Sequence, residues 1–314
     1  MKKIIAGAVI LFALTSSIFA AKGLKVVTTI FPEYDWTREI LGSNPGKVEL
    51  SLLLGNGVDL HSYQPSIQDI AKIATADIFI YVGGESDFWV EDALKNAANK
   101  NMKVINLLEA LGDKVKEEEI KEGMQAEEEE EEDEEAEYDE HVWLSLRNAK
   151  FLCGEIAVAL CEKDSVNAAS YKANLAAYSA KLDALDARYT AAVQAASKKT
   201  ILFGDRFPFR YLVEDYGLDY FAAFVGCSAE TEASFETVIF LAKKVDELGL
   251  KSVLKIESGD GKIARTIIQN SKNKNAKVLT LDSIQATTKK QADAGASYLK
   301  IMEENLKVLQ EALE

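Results

Sequence analysis

The pattern of hydrophobic and polar positions divides the chain into short apolar runs, separated by segments whose apolar residues recur every three or four positions. Apolar runs bounded by loops are typical of buried strands, and strands that alternate with helices form parallel sheets. Both faces of such a sheet are covered, which explains why the runs are nearly continuous. The pattern therefore predicts an α/β protein with two (β/α)4-type lobes. The predicted strands cover residues 25–30, 48–54, 77–83 and 103–107 in the first lobe, and 200–205, 220–226, 252–258 and 277–283 in the second.

Between the two sets of strands lies a long segment that is typical of a helix. Neither Gly nor Pro occurs from Ser165 through Phe203, and Ala recurs throughout. One apolar stripe has helical spacing, and it consists of Tyr171, Leu175, Tyr178, Leu182, Leu185, Tyr189 and Val193. A helix over residues 165–200 would be roughly 50 Å long, which is too long for the crossover of one small α/β domain. We expect a rigid helix that joins two lobes, and an ordinary amphipathic helix or a coiled-coil arm is the alternative.

The length of 314 residues is enough for two domains. The first 21 residues are typical of a secretory signal peptide, with two basic residues, an apolar run from Ile4 to Leu14 and small residues near Ala20. That run is too short to span a membrane. No Cys lies near the predicted cleavage point, so we expect a soluble periplasmic protein without a lipid anchor. The predicted organisation is a signal peptide (1–21), a first lobe (22–163), a linker helix (164–199) and a second lobe (200–314).

The formal net charge of −15 is confined to one segment. Residues 117–140 contain sixteen Asp or Glu and one Lys, so the rest of the chain is close to neutral. This distribution argues against nucleic acid as a partner. A segment of this composition repels itself and buries little apolar surface, which predicts a disordered loop over about 113–140. Its function is either solvation alone or the collection of cations beside a binding site.

The three cysteines are Cys153, Cys161 and Cys227. Cys153 and Cys161 fall on one predicted helix, about 12 Å apart along its axis, so they should not pair with each other. In an oxidising compartment another pair could form a disulfide. The simpler interpretation is that all three are small buried apolar residues.

Four residues at strand ends or in loops have the chemistry of metal ligands: His61, His141, Asp205 and Asp282. Ligand sites of open α/β sheets lie at the carboxyl ends of the strands. Spacing alone is a weak signal, because a histidine in a loop is usually a surface residue and an Asp at a strand end is usually a helix cap. Motifs for a nucleophile elbow, a zinc protease, a dinucleotide fold or a phosphate loop are missing from the sequence, so we expect no enzyme.

Several motifs together give a specific resemblance. In their order along the chain, they are LLGNGVDLHSYQPSIQDIAKIATADIFIYVGG, GGESDFWVEDAL, YDEHVWLSLRNA, DRFPFRYLVEDYGLDY and LTLDSI. With the long helix, they resemble the cluster A-I solute-binding proteins, which are the zinc and manganese receptors of ATP-binding-cassette importers. The resemblance covers essentially the whole mature chain.

The resemblance implies that His61 and His141 are the first two metal ligands and that Asp282 is the fourth. The family's third ligand falls on Arg206, which cannot bind a metal, so the adjacent Asp205 is the candidate for that role. If Asp205 or Asp282 is not a ligand, the next candidates are Glu230, Glu232 and Glu257. The zinc-binding members of this family often have a His-rich loop before the second ligand histidine. In this chain the corresponding segment, before His141, is acidic.

We therefore expect a receptor that binds Zn2+ or Mn2+ between two lobes, works as a monomer and delivers the ion to the permease of an importer. Two His with two carboxylates suits either ion, and the Irving–Williams order favours zinc. Affinity should fall as the pH drops through about 6, because each imidazole must be neutral to bind. The alternative is an adhesin that keeps the fold without transport. A metal-dependent hydrolase would need a general base, and none accompanies the histidine motifs.

Overall fold

The computed structural model describes residues 23–43, 48–125, 137–228 and 232–314. Within these residues, eight strands form two four-stranded sheets. The strands are β1 (Leu24–Thr28), β2 (Val48–Leu52), β3 (Ile78–Tyr81), β4 (Lys103–Asn106), β5 (Thr200–Phe207), β6 (Asp219–Val225), β7 (Ser252–Lys255) and β8 (Lys277–Thr280). The helices are α1 (Phe31–Leu41), α2 (Ile67–Ala74), α3 (Val90–Lys95), α4 (Leu107–Leu111), α5 (Leu146–Lys163), α6 (Ala168–Ala195), α7 (Arg210–Tyr216), α8 (Phe235–Glu247), α9 (Lys262–Asn270), α10 (Lys289–Asp293) and α11 (Tyr298–Ala312).

The two sheets have the same topology. Their strand orders are β2-β1-β3-β4 and β6-β5-β7-β8, and every pairing of neighbouring strands is parallel. In each lobe the second strand along the chain lies at an edge of the sheet. The predicted fold class of two lobes on parallel sheets is confirmed, and each predicted strand overlaps an observed one.

The long helix α6 has 28 residues and is therefore about 42 Å long. Six residues of the predicted stripe are buried, and Leu175 is partly buried. Near its start, the Asn174 amide donates to the carbonyl of Ile40 in the first lobe, over 2.9 Å. Near its end, the Tyr189 hydroxyl donates to the carbonyl of Met302 in the second lobe, over 2.6 Å. The helix thus contacts both lobes, and it lies within the predicted linker of residues 164–199.

Direct contacts also fix the lobes against each other. The indole nitrogen of Trp143 donates to the carbonyl of Ser283 over 2.9 Å, and the Tyr298 hydroxyl donates to the carbonyl of Trp143 over 2.6 Å. The amide of Tyr298 donates to the carboxylate of Asp35 over 2.7 Å. One apolar core continues through both lobes, and a smaller one belongs to the second lobe. These contacts favour small lobe rotations over a wide hinge movement.

The acidic segment differs from its prediction. Residues 112–125 and 137–140 are not a disordered loop, because Glu117 pairs with Tyr138 in an antiparallel bridge and the amide of Gln125 donates to the carbonyl of Ala223 on β6. Specific partners hold this segment against the second lobe, and a count of charges does not reveal them. The rest of the predicted loop, residues 126–136, lies outside the described residues, as does the predicted signal peptide.

The three cysteines are free, so they form no disulfide. Cys153 is buried on α5, whereas Cys161 and Cys227 are partly exposed. In the part of the chain that the structure describes, no helix has the length and apolar character that crossing a membrane requires.

Candidate metal centre

Loops of the first lobe carry both histidines. His61 lies in a 3-10 turn, Leu60–Ser62, and the Asp59 carboxylate caps this turn by accepting the His61 amide over 3.1 Å. His141 precedes a second 3-10 turn, Val142–Leu144, whose residues are buried. Short turns of this kind hold a side chain at a fixed angle next to a rigid core.

The two imidazole rings face each other. Nε2 of His61 lies 3.1 Å from Nε2 of His141, and the ring centroids are 5.1 Å apart. His141 is fully buried, and the side chain of His61 is 9% exposed. The structure therefore brings together two predicted ligands that are 80 residues apart in the sequence.

Neighbouring groups fix which nitrogen of each ring is free. Nδ1 of His141 lies 2.9 Å from the Asp139 carboxylate, which also accepts the His141 amide over 2.8 Å. Nδ1 of His61 lies 2.8 Å from the Ser86 hydroxyl and 3.6 Å from the Glu140 carboxylate. A proton on each Nδ1 satisfies these partners and leaves both Nε2 lone pairs for a shared ligand. Metal-binding histidines are usually oriented in this way.

Buried carboxylates make the surroundings of the histidine pair favourable for a cation. Asp139 and Glu140 are 3% and 2% exposed. Burial raises the pKa of the Glu118 and Glu140 carboxyl groups above their ordinary values. Burial acts most strongly on His141 and lowers its pKa, but Asp139, Glu140 and Glu118 together have the larger effect, so the pKa of His141 is raised. A divalent ion would supply the positive charge that these carboxylates favour.

Burial has the opposite net result at the first histidine. It lowers the pKa of His61 to about 3, and His141 acts in the same direction. The ring of His61 is therefore neutral over the physiological range, which is the form that binds metals.

A third group that the sequence analysis did not select lies at this pair. The third residue is Cys227. Its Sγ and one ring nitrogen of each histidine lie within 4.8 Å of one another. Among the described residues, this is the single group of three or more His, Cys, Asp or Glu side chains that could hold a metal ion. Cys227 follows the end of β6, an edge strand of the second lobe. Its position at the carboxyl end of a parallel strand is the signal that could have selected it.

Asp205 lies outside this group of three. Its carboxylate accepts the amides of Arg206 over 2.9 Å and Ile256 over 3.2 Å, so it anchors the turn after β7. Burial raises its pKa. With His61 it lines a cavity of about 570 Å³ between the lobes.

Arg206, at the expected position of the third ligand, forms an ion pair instead. One guanidinium nitrogen lies 2.6 Å from the Asp59 carboxylate, and the other donates to the carbonyl of Ser228 over 3.2 Å. Since Asp59 caps the turn of His61 and Ser228 follows Cys227, one side chain joins the two loops that meet at the site.

Asp282 is also outside the group. It lines a different cavity, with Ser297 and Asn305, and its carboxylate accepts the amide of Ile284 over 2.7 Å. Burial raises the pKa of Asp282 to about 7, and the neighbouring Glu257 acts in the same direction. Glu257 itself accepts the amide and the hydroxyl of Ser283, over 2.7 and 2.8 Å.

Of the two remaining glutamate candidates, Glu232 is exposed and pairs with Lys262 over 3.5 Å. Glu230 lies outside the described residues. The ligand roles of Asp205, Asp282 and the three glutamates stay predictions.

Comparison with known proteins identifies the family. The family model for the periplasmic zinc-uptake complex component A, ZnuA, matches residues 26–312. The chain belongs to this family. The membership confirms the resemblance that the motifs around His61, His141 and the long helix indicated.

Individual members of the zinc-uptake family are similar over almost the whole chain. The zinc-binding protein AdcA of Streptococcus pyogenes serotype M3 is 31% identical over 298 residues, which are 93% of this chain and 56% of AdcA. This chain thus spans little more than half the length of the AdcA relatives. The high-affinity zinc uptake system protein ZnuA of Bacillus subtilis is 30% identical over 92% of this chain and 88% of its own length.

A solved structure agrees with the fold. The Zn(II)-bound ZnuA-like domain of Streptococcus pneumoniae AdcA matches with a TM-score of 0.71 and 28% identity, over 93% of this chain and 99% of that domain. The two-lobe architecture is therefore common to this chain and a zinc-bound relative.

Proposed function

We propose that this protein is an extracytoplasmic receptor that captures Zn2+ between its lobes and delivers it to an ATP-binding-cassette importer. The observation that carries the proposal is the pair of Nε2 atoms of His61 and His141, which lie 3.1 Å apart in a buried, acidic environment. Imidazoles bind divalent transition metals through the lone pair of a free ring nitrogen.

Zinc is favoured over manganese for two reasons. The Irving–Williams order places Zn2+ well above Mn2+ at nitrogen ligands. Of the relatives compared above, AdcA is described as a zinc-binding protein and ZnuA of Bacillus subtilis as a zinc uptake protein, and the solved domain of AdcA is Zn(II)-bound. Mn2+ remains the alternative cargo.

The structure supports a receptor with nearly fixed lobes. Its first lobe supplies His61 and His141, and contacts such as that between Trp143 and Ser283 keep the second lobe beside them. Capture then needs movements of the loops more than a closure of the lobes. A monomeric state and the permease as partner complete the proposal as predictions.

The test is to measure metal content and zinc affinity for the mature protein and for the variant with both His61→Ala and His141→Ala. Competition with a chelating dye gives the affinity. We expect one zinc per chain at submicromolar dissociation constant, and loss of this binding in the double variant. Gln64→Ala, an exposed change three residues from His61, is the matched control and should bind zinc normally.

Weak binding of several ions that survives the double change would refute the receptor. The acidic segment would then be the cation site, and the adhesin alternative would be favoured. Growth of a strain that lacks the receptor, in zinc-depleted medium and with the wild-type or doubly substituted gene restored, tests delivery to an importer.

A further inference from the structure

The thiol of Cys227 lies at the histidine pair, although neither the sequence motifs nor the family resemblance gives it a role. Its Sγ and one nitrogen of each histidine lie within 4.8 Å of one another. We propose that Cys227 is the third protein ligand of the captured metal, so that the cargo site contains two imidazoles and one thiolate. This inference rests on the proposed function and specifies the chemistry of the same site.

The distances agree with a tetrahedral zinc site. Zinc lies about 2.0–2.1 Å from imidazole nitrogen and about 2.3 Å from sulfur, so two ligand atoms of one tetrahedron are roughly 3.3–3.7 Å apart. The two Nε2 atoms are 3.1 Å apart, and Sγ of Cys227 lies within 4.8 Å of one nitrogen of each ring. In the proposed site, the two imidazoles and the thiolate fill three corners of the tetrahedron and leave the fourth open.

The backbone around Cys227 is held in place before any metal binds. Its amide donates to the Glu118 carboxylate over 3.0 Å, and Arg206 binds the carbonyl of the next residue, Ser228. Gly226 lies so close to His141 that an added Cβ would be 3.0 Å from the imidazole Cε1. A side chain at this position would crowd the ring, so glycine favours the close approach of the Cys227 loop to His141.

Arg206 explains why a ligand from another loop is needed. Its guanidinium carries a permanent positive charge and forms an ion pair with Asp59, so it offers no lone pair to a metal. The histidine pair alone would leave two corners without a protein ligand. Cys227 is the nearby side chain of the second lobe that supplies an atom to the group.

A structural role alone would leave Cys227 buried among apolar side chains, as Cys153 is. Cys227 is instead partly exposed, forms no disulfide and lies within 4.8 Å of a nitrogen of each imidazole, and its amide donates to the Glu118 carboxylate. When zinc binds, an S–Zn bond forms, and the thiol proton leaves to the solvent.

A thiolate ligand also determines selectivity. Sulfur is a soft ligand that favours Zn2+, whereas Mn2+ favours oxygen ligands. Cys227 should therefore increase the preference for zinc over manganese beyond that of two histidines.

The test compares Cys227→Ala and Cys227→Ser with the wild-type mature protein under reducing conditions. We expect the zinc affinity to fall tenfold or more in both variants, since even residues that only orient a ligand contribute 10- to 100-fold. The ratio of zinc affinity to manganese affinity should fall as well. Cys161→Ala, which removes the other partly exposed thiol from α5, is the matched control and should change neither value.

Cobalt provides a direct signature of sulfur ligation. Co2+ bound to the wild-type protein and to Cys161→Ala should show the near-ultraviolet charge-transfer band of a thiolate–cobalt bond, and Cys227→Ala should lack it. Absence of this band in the wild-type protein, with unchanged zinc affinity in Cys227→Ala, would overturn the inference.

One measurement needs no substitution. Zinc should protect Cys227 of the wild-type protein from alkylation by iodoacetamide, as judged by mass spectrometry of the peptide, and should leave the labelling of Cys161 unchanged. Equal labelling of Cys227 with and without zinc would contradict ligation, even if the variants failed to fold.

These outcomes separate the inference from the proposed function. If the double histidine variant loses zinc but Cys227→Ala does not, the receptor stands and the cysteine is not a ligand. If zinc binding survives the loss of both histidines, the receptor itself is wrong.

Discussion

Three acidic residues beside the histidine pair show how much depends on individual side chains. Asp139 accepts both the amide and the ring nitrogen Nδ1 of His141, and Glu140 lies next to Nδ1 of His61. Glu118 holds the amide of Cys227. In the sequence these residues belong to an acidic run, and their charges alone predicted a disordered loop for solvation or for the collection of cations. In the structure each one orients a group that faces the proposed metal.

Asp87 allows a prediction on pH and stability. Its carboxylate accepts the amide of Gly83 over 3.0 Å, and among the described residues no donor reaches its Oδ1. Burial raises its pKa to about 7, and Glu140 acts in the same direction. Because the pKa is higher in the folded state, the stability from the protonated carboxyl is fully present below about pH 4 and is lost as the pH rises through 7.

We expect Asp87→Asn to raise the unfolding temperature at pH 8 and to change it little at pH 4. The amide keeps an acceptor for Gly83 and carries no charge. The gain at pH 8 has an upper limit of about 4 kcal/mol, since one pKa unit corresponds to about 1.4 kcal/mol. Thermal unfolding followed by circular dichroism from pH 4 to 8 measures it, and the exposed Asp92→Asn is the control. An equal shift at both pH values would contradict the explanation.

At the scale of elements, the long helix α6 was predicted from its spacing of apolar residues. Helical spacing is a local property, and the buried stripe from Tyr171 to Val193 follows from it. The acidic segment shows the limit of the same method. Its described flanks lie against the second lobe through contacts such as Lys121 with Asp219 and Arg210 with Glu119, which join residues far apart in the sequence.

Leu182 tests the contribution of α6 to the common core. It is 1% exposed and lies in the core that continues through both lobes. Leu182→Ala should lower the free energy of unfolding by about 2–5 kcal/mol, because it removes buried methyl groups and leaves a cavity. Urea denaturation measures the loss, and the adjacent Lys181→Ala, whose side chain is 61% exposed, is the control. A loss as small as that of the control would mean that the helix does not support the core.

At the scale of the whole molecule, the candidate site depends on how the two lobes meet. His61 and His141 come from the first lobe, and Cys227 comes from the second. The edge strands β2 and β6 occupy equivalent places in their sheets, and the loops after them approach each other. Arg206 joins these loops through Asp59 and Ser228. The two lobes are therefore joined near the site by Arg206 as well as by the long helix α6.

Arg206 should act as a positioning residue. Arg206→Ala removes the ion pair with Asp59 and the hydrogen bond to the carbonyl of Ser228, so the turns of His61 and Cys227 lose their common support. We expect the zinc affinity to fall about tenfold, as for other residues that orient ligands. Arg206→Lys keeps the positive charge but cannot contact both partners as the guanidinium does, so its zinc affinity should lie between those of the wild-type protein and Arg206→Ala.

A double-mutant cycle with Asp59→Ala distinguishes positioning from general destabilisation. If the ion pair supports the site, Arg206→Ala should have little further effect on zinc affinity once Asp59 is replaced. Additive losses, or a loss of stability without a loss of zinc affinity, would contradict the role.

The two parallel sheets and the long helix could be predicted from the sequence, and the resemblance of its motifs selected His61 and His141 as candidate ligands. Strand and helix periodicity depend on neighbours in the chain, so they can be read from local pattern. The tertiary structure decided that Cys227 faces the histidines, that Arg206 pairs with Asp59, and that Asp282 lies beside Glu257. Each of these is a contact through space between distant residues, and it depends on the packing of the two lobes, which local patterns do not encode.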